Sequence, residues 1–127
     1  MKKSDFWNLL NLLEWKYEGD DEQVTKPVVR ALARMNEEEI FAFNDIAKKL
    51  IADLEKEKAV RLAAEASGSV SEEELRKILC VAIVNGRKYY EDVRKGRIRL
   101  NTDLEFGSIL SVAEKAWAVK AEWRITG

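Results

Sequence analysis

The sequence predicts an all-α fold, a single-domain bundle of about five helices with a central apolar helix at residues 71-95. Apolar residues recur every three or four positions over most of the chain, which is the spacing of one helix face. The 127 residues include only six glycines and one proline, and strand-rich small domains need more turn residues. The longest apolar run, Ile78 to Val84, lies between the helix-favouring segments EEELRK and EDVRKG.

The first two helices are expected in the N-terminal third of the chain. A cap at Ser4 predicts a helix that runs to about Tyr17. The second helix starts at Glu22 or, in preference, at Thr25. A start at Thr25 places Pro27 in the first turn, where its missing amide costs nothing.

The third and last helices have clear apolar stripes. Asn36 and three glutamates open the third, which runs on as one long helix or as two with a bend near Glu57. The last helix is expected from about Asp103 to Trp123. Its main apolar face ends at Trp117, and a second stripe indicates contacts with two neighbours.

The central helix is expected to begin at Ser71, whose hydroxyl can accept from an amide of the first turn. Apolar residues on most of its sides indicate that it lies in the interior. Gly86 would then lie inside the helix, one turn after Ala82, and would let a neighbouring backbone come close. The alternative is a β-hairpin that turns at Asn85-Gly86, but the run before it does not alternate with polar residues.

Composition limits the setting in which the protein works. The chain has 22 basic and 23 acidic side chains, which gives a net charge of -1. Its overall charge is therefore too small to attract it to nucleic acid or to a membrane. The single cysteine, Cys80, excludes an intramolecular disulfide and predicts a reducing compartment. No apolar run approaches the ~20 residues of a membrane span, and we expect a cytoplasmic protein with no membrane association.

The residue types available for chemistry are few. The chain contains no histidine, which removes the commonest general base and the usual imidazole metal ligand. Cys80 lies among apolar residues, which predicts a buried, inert thiol. We therefore predict no catalytic residue, no cofactor and no metal. A carboxylate-based enzyme remains as an alternative, with Asp103, Glu105 and Glu114 as its cluster.

The leading functional hypothesis is a non-catalytic protein-interaction or regulatory module, such as an antitoxin-like partner. The predicted terminal helices carry all four tryptophans, and exposed tryptophans often anchor protein interfaces. The partner would be another protein or a second copy of the chain. The predicted partner-binding residues are Trp7, Trp15, Trp117 and Trp123.

A second alternative is anion or nucleic-acid binding through the basic segment 87-99, where six basic residues stand against two acidic ones. Cations also gather at helix C-termini without any ligand, and Glu91 can pair with neighbours one turn away. The predicted anion-binding residues are Arg87, Lys88, Arg94, Lys95, Arg97 and Arg99.

Short features in a fixed order along the chain link it to a known family. They are Phe6-Trp7, Glu38-Glu39-Ile40 with Phe43, Ala63-Ala64, Gly68 to Ser71 before acidic residues, and Gly86 followed by Tyr89-Tyr90. In this order the chain resembles the bacterial family of small helical domains called domain of unknown function 4240. The resemblance covers nearly the whole chain. It implies an all-helical bacterial cytoplasmic protein, sometimes associated with other domains, and supplies no catalytic residue.

The chain departs from the family pattern at two points. Arg61-Leu62 replaces an aromatic residue expected just before the pair of alanines, and a double glycine is reduced to Gly68 alone. If the family shares a pocket there, it is altered in this chain.

Overall fold

The computed structural model describes residues 1–68, 71–106 and 108–126. These residues contain no strand, so the predicted all-α class is confirmed and the alternative β-hairpin is wrong. The α-helices are α1 Lys3–Leu10, α2 Asp21–Ala33, α3 Glu37–Glu55, α4 Lys58–Ala66, α5 Glu72–Val84, α6 Arg87–Arg94 and α7 Val112–Thr126. Short 3-10 helices occur at Trp15–Tyr17 and Ser108–Ser111. The expected number of about five helices is too low.

The chain divides into two compact units. Unit 1 comprises Met1–Ile46 and Ser108–Gly127, and unit 2 comprises Ala47–Gly107. Unit 1 holds α1, α2, α7 and the first part of α3. Unit 2 holds the remainder of α3 with α4, α5 and α6. That residues 1-127 act as one domain stays a prediction.

Helix α1 is shorter than predicted, and it begins at Lys3 with Lys2 as its N-cap, so the predicted cap at Ser4 is wrong. Its C-cap is Asn11, and the chain then turns so that Glu14 N donates to Val24 O at 3.0 Å. This hydrogen bond replaces the helical one that continuation would have required. Leu13 is buried as the stripe predicts, but Tyr17 is exposed. The predicted helix end at Tyr17 is therefore wrong.

Helix α2 begins before the predicted start. Its first residue is Asp21, one residue before the alternative start at Glu22, and the preferred start at Thr25 is wrong. Pro27 consequently lies at the seventh position of the helix instead of in its first turn. A proline there lacks the amide that would donate to the carbonyl of Gln23.

The long third segment forms two helices, which confirms one of the two predicted alternatives. Asn36 Oδ1 caps α3 by accepting from Glu39 N at 2.9 Å. The break occurs at Glu57, whose extended backbone, φ -77° and ψ 130°, precedes α4. Phe41 in the second turn of α3 points away from the buried stripe and is 60% exposed.

The predicted helix at residues 71-95 is two helices, α5 and α6, separated at Asn85-Gly86. Gly86 has φ +99° and ψ 169°, which ends one helix and precedes the next. An added Cβ at Gly86 would meet no atom within 4 Å, so the predicted close approach of a neighbouring backbone is wrong. The glycine is needed for its backbone conformation and not for space.

Helix α5 is buried along its apolar run, as its many apolar residues predict. Ser71 Oγ caps it by accepting from Glu74 N at 3.1 Å. All seven residues from Ile78 to Val84 are buried, which confirms a helix covered on every side. On α6, the Tyr90 hydroxyl donates to Leu50 O at 2.7 Å within unit 2.

The last helix starts later than predicted. Phe106 N donates to Lys77 O at 2.9 Å, and the chain from Asp103 to Phe106 is not helical. Helix α7 follows from Val112 and buries Val112 and Ala116 completely. Trp117 is 38% exposed, so the expectation that the main apolar face extends as far as this residue is wrong.

Candidate functional site

Helix α7 is attached to the connection between α2 and α3 by a lysine. Lys120 Nζ donates to Met35 O at 2.6 Å and to Ala33 O at 3.3 Å. These carbonyls lie where α2 ends, so they have no partner in a following helical turn. A cation at this negative end of the helix dipole stabilises α2 and holds α7 beside it.

Two further contacts join α7 to the first part of α3. Arg124 Nη2 donates to Glu37 Oε1 at 2.6 Å, and the rings of Trp117 and Phe41 lie 5.3 Å apart with 44° between their planes. The earlier residue of α3 contacts the later residue of α7, so the two helices run antiparallel in unit 1. The aromatic pair Phe41 and Trp117 is thus held between fixed helices, with 60% and 38% of the two residues exposed.

The other predicted partner-binding residues lie in different surroundings within unit 1. Trp7 is half-buried and packs edge-on against Phe6, with ring centroids 5.4 Å apart. Trp15 is exposed in the first 3-10 helix. Trp123 is exposed on α7 and lines a groove of about 440 Å³ beside α2. Trp117 and Trp123 lie six residues apart, which puts them on different faces of α7.

Sequence reasoning missed Phe41. The sequence contains a sign of its exposure. Phe41 lies between Ile40 and Phe43 along the chain but is not on the helix face that buries them. An aromatic residue on the polar side of an amphipathic helix indicates either a second packing partner or an exposed apolar surface. Here both hold, since Phe41 contacts Trp117 and remains mostly exposed.

The basic segment of unit 2 is partly neutralised by its own acidic residues. Asp92 accepts from Lys88 Nζ at 2.9 Å and from Arg97 Nη1 at 3.5 Å, and Glu91 accepts from Arg94. The hydrogen bond from Lys88, followed by the positive charges nearby, lowers the pKa of the Asp92 carboxyl. Three of the six predicted anion-binding residues are therefore engaged within the segment.

Arg87, Lys95 and Arg99 form no ion pair among the described residues. Arg99 lines an apolar groove of about 290 Å³ within unit 2. Leu62 and Ile98, both exposed, lie at the same groove. The groove therefore combines apolar walls with one cation.

The carboxylates considered for catalysis are distributed between the two units. Asp103 and Glu105 lie in the non-helical segment of unit 2, and Glu114 lies on α7 in unit 1; all three are exposed. Within residues 1–68, 71–106 and 108–126, no three His, Cys, Asp or Glu side chains group as metal ligands would.

The cysteine side chain is fully enclosed in unit 2. Cys80 has no exposed surface, and burial raises the pKa of its thiol to about 12. At neutral pH the sulfur therefore stays protonated and out of contact with solvent, which confirms the predicted inert thiol.

None of the described helices combines the length and the apolar composition that a bilayer crossing requires. That finding concerns spanning helices alone.

The described helices define an all-α protein, and the aromatic pair Phe41 and Trp117 lies exposed on unit 1. The model of the family described as "Protein of unknown function (DUF4240)" matches residues 1–118, and the chain belongs to this family. The resemblance noted from the short sequence features is confirmed. No curated protein and no solved structure matches the chain.

Proposed function

We propose that the chain is a non-catalytic helical module that binds another protein through the aromatic pair Phe41 and Trp117. The main support is that the two aromatic rings contact each other although Phe41 is 60% exposed and Trp117 is 38% exposed. Aromatic side chains lose little conformational entropy on binding and are enriched among the residues that dominate interface energies. An exposed pair on one face of unit 1 is such an anchor.

Preorganisation supports this role. The pair lies on two helices that Lys120 and Arg124 hold together through their contacts with the end of α2 and with Glu37. A partner would therefore meet rings that are already in place, and less ordering would oppose binding. Trp15 and Trp123 add exposed aromatic surface to the same unit.

We place the module in the bacterial cytoplasm, as a regulatory or antitoxin-like partner of another protein. The family resemblance supports the bacterial setting. The single cysteine supports a reducing compartment, because Cys80 is buried as a free thiol.

A capture experiment with matched variants tests the proposal. Tagged chain, a Phe41→Ser/Trp117→Ser variant and a Leu62→Ser control are used to capture proteins from the source cell's lysate. Leu62 is 53% exposed and lies on unit 2, so its replacement removes a comparable apolar surface elsewhere. We expect a protein that the tagged chain and the control retain, and that the double variant binds at least about tenfold more weakly.

Circular dichroism checks that all three proteins are equally helical. Equal retention by the double variant would show that the aromatic pair is not the binding surface.

Anion or nucleic-acid binding is the second candidate, supported by Arg87, Lys95 and Arg99, which form no ion pair within the part of the chain that the structure describes. Nuclease treatment and two salt concentrations in the same capture distinguish it. Retention that is lost with nuclease and also weakens at the higher salt concentration would favour this second candidate.

A further inference from the structure

Helix α7 is apolar on two opposite faces. One face packs within unit 1, where Val112 and Ala116 are completely buried. The opposite face is exposed to solvent, and we call it the outward face of α7. At about 100° per residue, this face consists of Glu114, Trp117, Ala118, Ala121, Arg124 and Ile125. All six residues are exposed.

The composition of the outward face is unusual for a helix surface that meets only water. The side of an amphipathic helix that points away from the core is normally polar or charged. Here four of the six residues are apolar, and Ile125 is 85% exposed. Phe41 of α3 extends this apolar surface, because its ring contacts Trp117 and remains mostly exposed. A continuous exposed apolar surface of this kind indicates a protein-binding site.

The two charged residues of the outward face have opposite signs and lie at its two ends. Glu114 precedes Trp117 by one turn, and Arg124 lies in the last turn of α7. Arg124 donates to Glu37 through Nη2, but its guanidinium has further donors, and 59% of the side chain is exposed. The outward face therefore has no net charge, and its charges favour a partner that carries the same two signs in the reverse order.

A second copy of the chain, in antiparallel orientation, has this reverse order. Two identical faces related by a twofold axis meet so that the Glu114 end of each lies against the Arg124 end of the other. A parallel pairing would instead bring like charges together at both ends. Between the ends, the small side chains of Ala118 and Ala121 allow two helix backbones to approach closely, with Trp117 packed beside them.

We propose that two copies of the chain associate through the outward faces of their α7 helices, in antiparallel orientation. This inference goes beyond the function proposed above, because the second copy covers Trp117, which belongs to the aromatic pair. Another protein that binds the aromatic pair therefore has to displace the second copy first. Self-association thus regulates access to the surface proposed for the interaction module.

Sedimentation velocity of the purified chain, from about 1 to 300 µM, tests the association. One helix face per copy is small for a protein interface, so we expect a dimer with a Kd in the micromolar range. Ala121→Glu adds a charge in the middle of the outward face, and Ala66→Glu makes the same change at an exposed position of α4 in unit 2. We expect the Kd to rise at least about tenfold for Ala121→Glu and to stay unchanged for the control.

Two results would contradict the association. The first is a chain that stays monomeric up to about 300 µM. The second is a dimer that Ala121→Glu and Ala66→Glu form equally well, with circular dichroism showing equal helicity. Either result leaves the proposed function standing, because the purified sample contains no other protein.

Charge reversal tests the antiparallel orientation. Glu114→Arg alone, or Arg124→Glu alone, puts like charges at both ends of a symmetric dimer, whereas an equal mixture of the two variants restores opposite charges at both ends. We expect each variant alone to dimerise about fivefold more weakly, and the mixture to regain most of the affinity at low salt. Circular dichroism checks the folding of Arg124→Glu, which also loses the contact with Glu37. A mixture that dimerises as weakly as the separate variants would overturn the inference.

Discussion

Gly86 has a backbone conformation that residues with a Cβ rarely adopt. Its φ of +99° and ψ of 169° lie in a region that is nearly restricted to glycine. The space around it is open, so only the backbone geometry demands glycine. The preceding residue, Asn85, completes the turn by donating from its side chain to Val81 O at 2.7 Å. These two residues allow α5 and α6 to be separate helices.

We expect Gly86→Ala to lower the free energy of unfolding by about 1–3 kcal/mol, since alanine must adopt the strained conformation or shift α6. The control is Arg87→Ala at the next, exposed position, which should change stability by less than about 0.5 kcal/mol. Urea denaturation followed by circular dichroism measures both. If the two variants proved equally stable, the backbone strain at Gly86 would be absent.

Asp92 accepts hydrogen bonds both from α6 and from the segment that follows it in unit 2. Its backbone carbonyl accepts from Arg97 N at 2.8 Å and Ile98 N at 3.2 Å, while its carboxylate accepts from Lys88 and Arg97. The lowered pKa of this carboxyl means that its contribution to stability is present above the unfolded-state pKa. The contribution is lost as the pH falls through the folded-state pKa.

At the scale of one helix, α2 carries an interior proline. Pro27 removes one helical hydrogen bond, and its ring crowds the carbonyl of Gln23. Apart from this residue, α2 is well formed: Asp20 caps it by accepting from Gln23 N, and Thr25 Oγ1 donates to Asp21 O at 2.9 Å. The helix therefore forms despite the proline, because its apolar face is buried.

Replacing this proline should stabilise the protein. An interior proline costs about 3 kcal/mol relative to alanine, of which a more flexible unfolded chain returns about 0.4–1 kcal/mol. We expect Pro27→Ala to raise the free energy of unfolding by about 2 kcal/mol or less, since local relaxation reduces the cost. Lys26→Ala, at the adjacent exposed position, is the control. A lower urea midpoint for Pro27→Ala would contradict the expected strain in α2.

The faces of α7 illustrate why helix orientation was hard to predict. Its sequence offers two apolar stripes, and either could have been the more buried one. The structure buries Val112 and Ala116 of the second stripe and leaves Trp117 of the first exposed. The contacts that fix α7 include the donations from Lys120 to carbonyls 85 and 87 residues away, and these contacts leave no trace in the local sequence.

At the scale of the whole molecule, the family match ends at residue 118, whereas α7 continues to Thr126. The additional turns carry Lys120 and Arg124, which bind the end of α2 and the start of α3. Residues beyond the matched region therefore contribute to the stability of unit 1.

A chain that ends after Ala118 should lose about 1.5–3 kcal/mol of stability, because the carbonyls at the end of α2 lose a charged donor. Thermal unfolding followed by circular dichroism measures the loss. In the 127-residue chain, Lys120→Met should reproduce most of it, and Trp123→Ser should not. An unchanged unfolding midpoint for the shortened chain would show that these contacts do not matter.

The fold class and most of the buried residues could be predicted from the sequence. The apolar run from Ile78 to Val84 indicated a buried helix, and the residue types at Asn36 and Ser71 identified two helix starts. Two of the missed boundaries share one cause. At the end of α1 and before α7, backbone groups bond to distant residues, and such tertiary contacts override local propensity.

Only one residue of the aromatic pair Phe41 and Trp117 could be predicted from the sequence. Trp117 was named from its residue type, but its partner Phe41 is 76 positions away in the sequence, and no spacing rule connects them. The ion pair between Glu91 and Arg94 was predicted, since the two residues are one helical turn apart. Pairing by Asp92 across five residues to Arg97 required the turn after α6, which the sequence pattern alone does not specify.

The placement of two residue types gives each unit its own optical reporter. All four tryptophans lie in unit 1, and the only cysteine lies in unit 2. Indole emission during denaturation therefore follows unit 1, whereas the rate at which a chromogenic disulfide labels Cys80 follows the opening of unit 2. Coincident midpoints would identify a single cooperative domain, and separate midpoints would mean that the two units melt one after the other.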